Sequence, residues 1–318
     1  MKRVSIDIVT SALNEELCID EFVARVNRVF TEERDYSHRI TIIDNGSTDA
    51  TWSRIVDQSK KFKNVRGIRM SRTFTFDAAL TCGIDHATSD YLIIMASDLQ
   101  DPPDVIHYFL REREKGFDQV VARIIKRAHV PALRRLLSNI FYRVTFWATD
   151  GLIPKNVSDY RLMSRRVYEN VKLLRENHRF MRGLTAWTGF STSFVDIERP
   201  NRFAGKSKWL GLDLFTVLFN AIRATFAFSV KPLWIVSFFC FVFGAFSFIG
   251  LAILIFLFVV NGVPFNGFGS LIGFAVLSFG ILMFTLGVIS LYLSLMYEET
   301  QKRPIYVIAS TTHFSIDK

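Results

Sequence analysis

Cysteine is nearly missing from this chain: Cys18, Cys82 and Cys240 are the only three in 318 residues. Odd in number and far apart, they exclude a disulfide framework and a structural zinc site, and they suit a reducing compartment. No GxxxxGK[ST] loop and no GxGxxG occurs, so ATPase and dinucleotide-oxidoreductase chemistry fall away. His86, His107, His129 and His178 show no metal-ligand spacing. A signal peptide is not expected, because the first residues read as a β-strand that opens a domain. The largest absence is of charge: from Pro232 to Tyr297, 66 residues pass without one Asp, Glu, Lys or Arg.

What is present is apolar and basic at once. Half of the residues are hydrophobic and 22% are charged, which excludes intrinsic disorder, and the formal charge is +9. The 31 Phe far outnumber the 9 Tyr and 5 Trp. The charge is unevenly spread. Residues 1–119 hold 16 Lys or Arg against 20 Asp or Glu, net −4, whereas residues 120–231 hold 20 against 7, net +13.

The uncharged stretch is interrupted only by the polar, turn-forming NGVPFNG at 261–267. Each half exceeds the roughly 20 apolar residues that a helix needs to cross a bilayer core. The pattern predicts membrane helices over 231–260 and 268–297, joined by a tight hairpin. Lys231 precedes the first and Lys302 and Arg303 follow the second, while the hairpin carries no Lys or Arg; the positive-inside rule puts both termini in the cytoplasm. The basic region just ahead of the membrane is suited to anionic lipid headgroups, and no nucleic-acid partner is expected. Residues 132–147 (ALRRLLSNIFYRVTFW) and 209–230 have apolar stripes that fit interfacial helices or helices packed on the domain's own core.

The first 208 residues read as α/β. Strand-like VSIDIVTSA is followed by an amphipathic segment whose Leu17, Ile19, Phe22, Val23, Val26 and Phe30 make one helical face. A strand over 40–44, a helix over 50–62, a strand over 65–70, a helix over 77–87 and a strand over 91–96 continue the alternation. Such alternation predicts a mostly parallel sheet covered by helices on both faces, with ligands at the carboxyl ends of the strands. The polar clusters fall at those ends: Asn14 and Glu15, then 44–49, Arg72, and 98–101. In ASDLQDPPD, oxygen ligands Asp98 and Gln100 suit Mg²⁺ or Mn²⁺ on a diphosphate, and Asp101 is placed to cap a helix over 104–115.

Taken together these pieces resemble a family 2 glycosyltransferase of GT-A fold, of the kind that acts on polyprenyl phosphates: dolichyl-phosphate mannose synthases and bacterial undecaprenyl-phosphate glucosyltransferases with two C-terminal membrane helices. The matching segments are NEE at Asn14, IIDNGSTDAT at Ile42, the stretch from Arg72 to Gly83, SDLQDPPD at Ser97, SDYRLMSRRV at Ser158, HRFMRGLTAWTGF at His178, RFAGKSKW at Arg202 and YEETQKRPIYV at Tyr297. The resemblance implies a cytoplasmic GT-A domain over 1–208, a juxtamembrane amphipathic helix over 209–230, the two membrane helices, and a cytoplasmic tail over 298–318. It implies inverting transfer of a hexose, glucose by resemblance, from a UDP-sugar to undecaprenyl phosphate in the bacterial inner membrane, feeding cell-surface glycan modification. Family members are often tetramers.

By the same resemblance Glu15, Asp44 and Asn45 hold the uridine, with Asp77 nearby, and Asp98 and Gln100 hold the metal and diphosphate. Asp159 lies beside the transferred sugar. Arg123, Arg134, Ser138, Arg202 and Lys206 grip the acceptor phosphate, and Arg202 and Lys206 belong with Ser207 and Lys208 to a loop closing over the site. The chain departs from the family's pattern at Ser11 and Leu13, where Pro and Tyr are usual, at Asn45, where a second Asp is common, and at Ala96, which replaces the first acid of D-x-D. Other acceptors, such as diacylglycerol, ceramide or a growing polysaccharide, and a catalytically silent binding subunit are the competing readings. The QxxRW motif of processive polysaccharide synthases is absent.

A lipid monophosphate is mostly dianionic at neutral pH, its second pKa being about 6. It needs little help from a base. Its difficulty is electrostatic, since it must approach a sugar carried on another anion, and arginine forks answer that need. Asp159 is accordingly expected to orient the acceptor or share the metal, with an ion pair to Arg161 or Arg165 as the blander account.

Overall fold

The computed structural model describes residues 3–127, 156–177, 179–204, 231–261 and 267–312, with five isolated positions between 143 and 154. The expected contacts Arg134, Ser138, Lys206, Ser207 and Lys208 lie outside the described residues, as do the segment 209–230 and all of 132–147 except Arg143 and Phe146. Two compact units emerge, the first over Met1–Leu218 and Arg303–Lys318, the second over Phe219–Lys302.

In the first unit, strands and helices alternate as β1 Val4–Ala12, α1 Ile19–Glu32, β2 Tyr36–Asp44, α2 Thr51–Lys61, β3 Val65–Met70, α3 Phe76–Asp85, β4 Tyr91–Ile94 and α4 Val105–Glu114. Then follow β5 Gln119–Arg127, β6 Val157–Ser164, α5 Arg165–Leu173, α6 Met181–Trp187 and β7 Thr192–Arg199; β8 Ile308–Thr311 comes after the second unit. The sheet order is β7-β5-β6-β4-β1-β2-β3-β8. Its centre, β3-β2-β1-β4, is parallel, whereas β6 runs antiparallel to β4 and to β5.

The sequence dictates this arrangement through burial on two faces. β1 alternates little because both of its faces are covered: Ile6 and Ile8 pack with Phe22, Val26 and Phe109 from α1 and α4, while Val9 packs with Leu80 of α3 and Val167 of α5. Helices therefore sandwich the sheet, as the alternation predicts. Because β2 lies on one side of β1 and β4 on the other, the chain reverses direction across the sheet at β1, which leaves a crevice at the carboxyl ends of β1 and β4.

One strand escapes the periodicity. Residues 298–318 read as a tail, yet β8 pairs antiparallel with β3, with Ile68 opposite Thr311. Gly67 N–H donates to Thr312 Oγ1 at 2.8 Å, and Tyr306 Oη donates to Asp85 Oδ2 at 2.9 Å. A strand of four residues is too short to announce itself by alternation.

The second unit contains two long helices, α7 Lys231–Asn261 and α8 Phe268–Thr300. They touch each other through Cys240 Sγ and Thr285 Oγ1, 3.0 Å apart, and through the stacked rings of Phe243 and Phe274. Large apolar side chains point outward along α7, with Phe241 79% exposed and Val259 75%. Among the described residues one stretch, Leu277–Thr300, is long and apolar enough to cross a membrane.

Candidate active site

The crevice is built by loops that are tied to one another. Ser97 Oγ donates to the Ser11 carbonyl at 3.0 Å, joining the ends of β4 and β1. Asn14 N–H donates to Ser47 Oγ and Thr48 N–H donates to Asn14 Oδ1 at 2.8 Å, joining the ends of β1 and β2. Asn14 has φ +48°, a left-handed conformation that asparagine tolerates better than most residues.

Two buried acids face this crevice from different strands. Glu15 is 8% exposed and Asp98 is 6% exposed. The guanidinium of Arg202 lies against both, with Nε 3.0 Å from Asp98 Oδ2 and Nη1 3.5 Å from Glu15 Oε1. Phe203 N–H donates to the Asp98 carbonyl at 3.3 Å, so the chain beyond β7 is seated over the acids by backbone as well as by charge. The Asp98 loop turns sharply at Leu99, φ +61°, and Gln100 N–H donates to Asp98 Oδ1 at 3.1 Å.

Asp101 does not cap a helix. Its Oδ2 accepts from Ala96 N–H at 3.0 Å, and its Oδ1 accepts from Arg199 Nη2 at 3.0 Å. Helix α4 begins later, with Asp104 at its cap position and no side-chain capping bond. The loop folds back on the end of β4, so this carboxylate straps the turn, and burial pushes its pKa above the ordinary value.

The β2 end presents Asp44, fully buried, whose Oδ1 accepts from Ser47 N–H at 2.9 Å. Its Oδ2 lies 3.3 Å from Arg69 Nε and accepts no hydrogen bond from the described residues. A buried carboxylate oxygen with acceptor capacity left suits an N–H or hydroxyl of a ligand. Asn45 is committed elsewhere: Nδ2 donates to the Phe74 carbonyl at 3.0 Å and Oδ1 accepts from Phe74 N–H at 2.9 Å. This two-point clamp needs an amide, since a carboxylate has no donor for the carbonyl. Gly46, φ +76°, lets the backbone pass the 72–73 segment; a Cβ there would lie 2.6 Å from Arg72 C.

Asp77 and Asp159 meet a short distance away, on α3 and at the start of β6. Asp77 Oδ1 accepts from Met181 N–H at 3.1 Å. Burial, with the Asp159 carboxylate beside it, pushes the Asp77 pKa up to about 6. Asp159 would also be raised by burial, but the Arg182 guanidinium holds it below the ordinary carboxylate range. Its ion-pair partner is therefore Arg182, rather than Arg161 or Arg165. Arg161 turns to Thr185 and to the Ser158 and Asp159 carbonyls.

Arg123 lies on β5 and forks onto Asp196 of β7, at 2.5 and 3.0 Å. No local spacing marks the roles of Arg182 and Arg199, since each pairs with an acid far away in the chain, 23 and 98 positions.

The residues present fit a divalent cation shared with a phosphate ligand. The observation that bears on this is the cationic group already seated on the buried carboxylate of Asp98, 3.0 Å from Oδ2. Mg²⁺ characteristically takes one or two carboxylates and completes its shell with phosphate and water. Among the described residues no group of three His, Cys, Asp or Glu forms a cage, and Ala96 adds no side-chain oxygen.

Comparison with known proteins adds the rest. The family described as Glycosyl transferase family 2 matches residues 7–172. The chain is 35% identical over 305 residues to a prophage bactoprenol glucosyl transferase homolog of Escherichia coli, covering 96% of this chain and 98% of that one. It is 34% identical over 307 residues to the bactoprenol glucosyl transferase of Shigella phage SfX, covering 96% and 99%. Among solved structures, glucosyl-3-phosphoglycerate synthase of Mycobacterium tuberculosis, in complex with Mn²⁺, uridine diphosphate and phosphoglyceric acid, aligns with TM-score 0.50 at 16% identity, over 70% of this chain and 78% of that one. At that identity the likeness speaks for the fold alone.

Proposed function

Because the chain belongs to glycosyl transferase family 2 and is a glycosyltransferase, we propose that it moves one hexose, glucose, from a UDP-sugar to a polyprenyl phosphate with inversion at the anomeric carbon. The acceptor class is proposed from the two bactoprenol glucosyl transferases, which match over nearly the whole chain. The observation that carries the donor side is the acid pair Glu15 and Asp98, bridged by a cationic group at the switch point of the sheet.

In this reading Glu15 and the free acceptor capacity of Asp44 take the nucleoside, while Asn45 shapes the wall behind it. Asp98 and Gln100 would hold Mg²⁺ or Mn²⁺, which when bound offsets the charge gathering on the departing diphosphate. Arg202 leaves the acid pair for the anionic donor once that charge arrives, since a guanidinium forks onto phosphate as readily as onto carboxylate. A phosphate oxygen of the acceptor then attacks the anomeric carbon, the bond from that carbon to the diphosphate breaks, and the nucleoside diphosphate leaves. Asp159, kept ionised, orients the incoming group rather than removing a proton.

The membrane half of the proposal rests on α7 and α8, helices of 31 and 33 residues whose outward side chains are mostly apolar. Both span, with the flanks of the pair on the cytoplasmic side, and the net positive charge of 120–231 favours anionic headgroups and a lipid phosphate.

The test uses the full chain in membranes with undecaprenyl phosphate and a panel of labelled nucleotide sugars. UDP-glucose is expected to give the fastest transfer, and Asp98→Asn to lower kcat by about a hundredfold or more. Transfer from a GDP- or ADP-sugar in preference to every UDP-sugar would overturn the donor assignment.

A further inference from the structure

Asp159 is forked by Arg182, and the helix that carries Arg182 is itself held at two points. Arg182 Nε donates to Asp159 Oδ1 at 2.8 Å and Nη2 donates to Oδ2 at 2.5 Å. Two parallel bonds fix the rotation of a carboxylate, which a single bond or a lysine ammonium cannot do. Arg182 is the second residue of α6, and the N–H of the first, Met181, donates to Asp77 on α3. One turn along the same helix, Thr185 is met by Arg161 of β6. Arg161 lies two positions from Asp159, on the same face of that strand. Helix α6 is thus pinned to α3 at Met181 and to β6 at Thr185, and Arg182 projects from between them onto Asp159.

We propose that Arg182 is a positioning residue for glycosyl transfer: its fork aims the Asp159 carboxylate, and Asp77 fixes the helical turn that carries the fork. The inference rests on the reading above, in which Asp159 orients the incoming group. It gives Asp77 a task other than nucleotide contact, and it explains why two acids stand so close. One is a strut for backbone N–H, and the other is the working carboxylate.

A double-mutant cycle in the full-length, membrane-bound chain tests this. Arg182→Gln and Asp159→Asn should each lower kcat by about a hundredfold, the effect of misplacing a reacting group by about an ångström, with the donor KM within about twofold of wild type. The double variant should be no slower than the worse single one, because both break the same unit. Arg182→Lys, with charge but no fork, should not restore kcat. Asp77→Leu, which removes the acceptor for Met181 N–H, should reproduce the Arg182→Gln loss. Multiplying losses in the double variant, a donor KM rising in step with each loss, or near-normal kcat in Arg182→Gln would each overturn the proposal. If wild type itself makes no lipid product from any UDP-hexose, it is the functional reading that fails, so the two failures are told apart.

Discussion

At the scale of single residues, buried charges do most of the organising, and their titration can be followed. Asp7 stands in the middle of β1, fully buried, and Arg39 of β2 forks onto it at 2.7 and 2.9 Å while Thr88 and Ser89 N–H donate to it. Burial would raise its pKa, but these partners hold it below the ordinary value. Its contribution is therefore present above the unfolded pKa and lost as pH falls through the lower folded one. Asp7→Ala leaves the Thr88 and Ser89 N–H groups without their acceptor and is expected to cost about 3 kcal/mol at neutral pH, read from chemical denaturation of the first unit. Asp77 has the opposite sign. With its pKa raised from 3.8 to about 6, it stabilises fully below the ordinary value, and that contribution is gone above about 6. Asp77→Asn should thus gain in melting temperature on wild type as pH rises from about 4 to about 7; a gap that does not change with pH would count against this account of the site.

At the scale of elements, β8 is the contact with a clear mechanical meaning. It covers the edge of β3, an unpaired row of N–H and C=O groups that would otherwise invite association. Thr312 answers Gly67 from both directions, its hydroxyl accepting from Gly67 N–H and its own N–H donating to the Gly67 carbonyl at 3.0 Å. Ending the chain at Arg303 should leave the helices intact yet lower the melting temperature and promote oligomers by light scattering; a truncated chain that melts and sediments like wild type would show that β8 is dispensable. The parallel strands were legible in the sequence because Ile, Val and Leu run through them between turn clusters. So were the polar strand ends, and the crevice is where they fall. What escaped was set by distance along the chain. β6 runs antiparallel between two strands, Arg182 reaches back to Asp159, and Asn45 spends its amide on Phe74, none of which leaves a local periodicity.

At the scale of the whole molecule, the charge step from net −4 over 1–119 to net +13 over 120–231 is consistent with a division of labour. The acidic part carries Glu15, Asp44 and Asp98, proposed for the donor; the basic part carries Arg134 and Lys206, proposed for the acceptor phosphate, and the 66 uncharged residues follow it. A phosphate on a lipid is the acceptor that would use both the positive field and the apolar helices, whereas diacylglycerol would use only the second. High salt should accordingly raise the KM for the lipid phosphate more than that for the sugar nucleotide, because exposed charges are screened within about 8 Å at physiological ionic strength.

The acceptor is also where one measurement weighs most. Full-length protein in vesicles would be given labelled UDP-glucose with either undecaprenyl phosphate or diacylglycerol, and the chloroform-soluble label counted before and after mild acid. The account predicts an acid-labile labelled lipid that forms with undecaprenyl phosphate and not with diacylglycerol. Acid-stable label in diacylglycerol, or label in polymer with none in the organic phase, would contradict it.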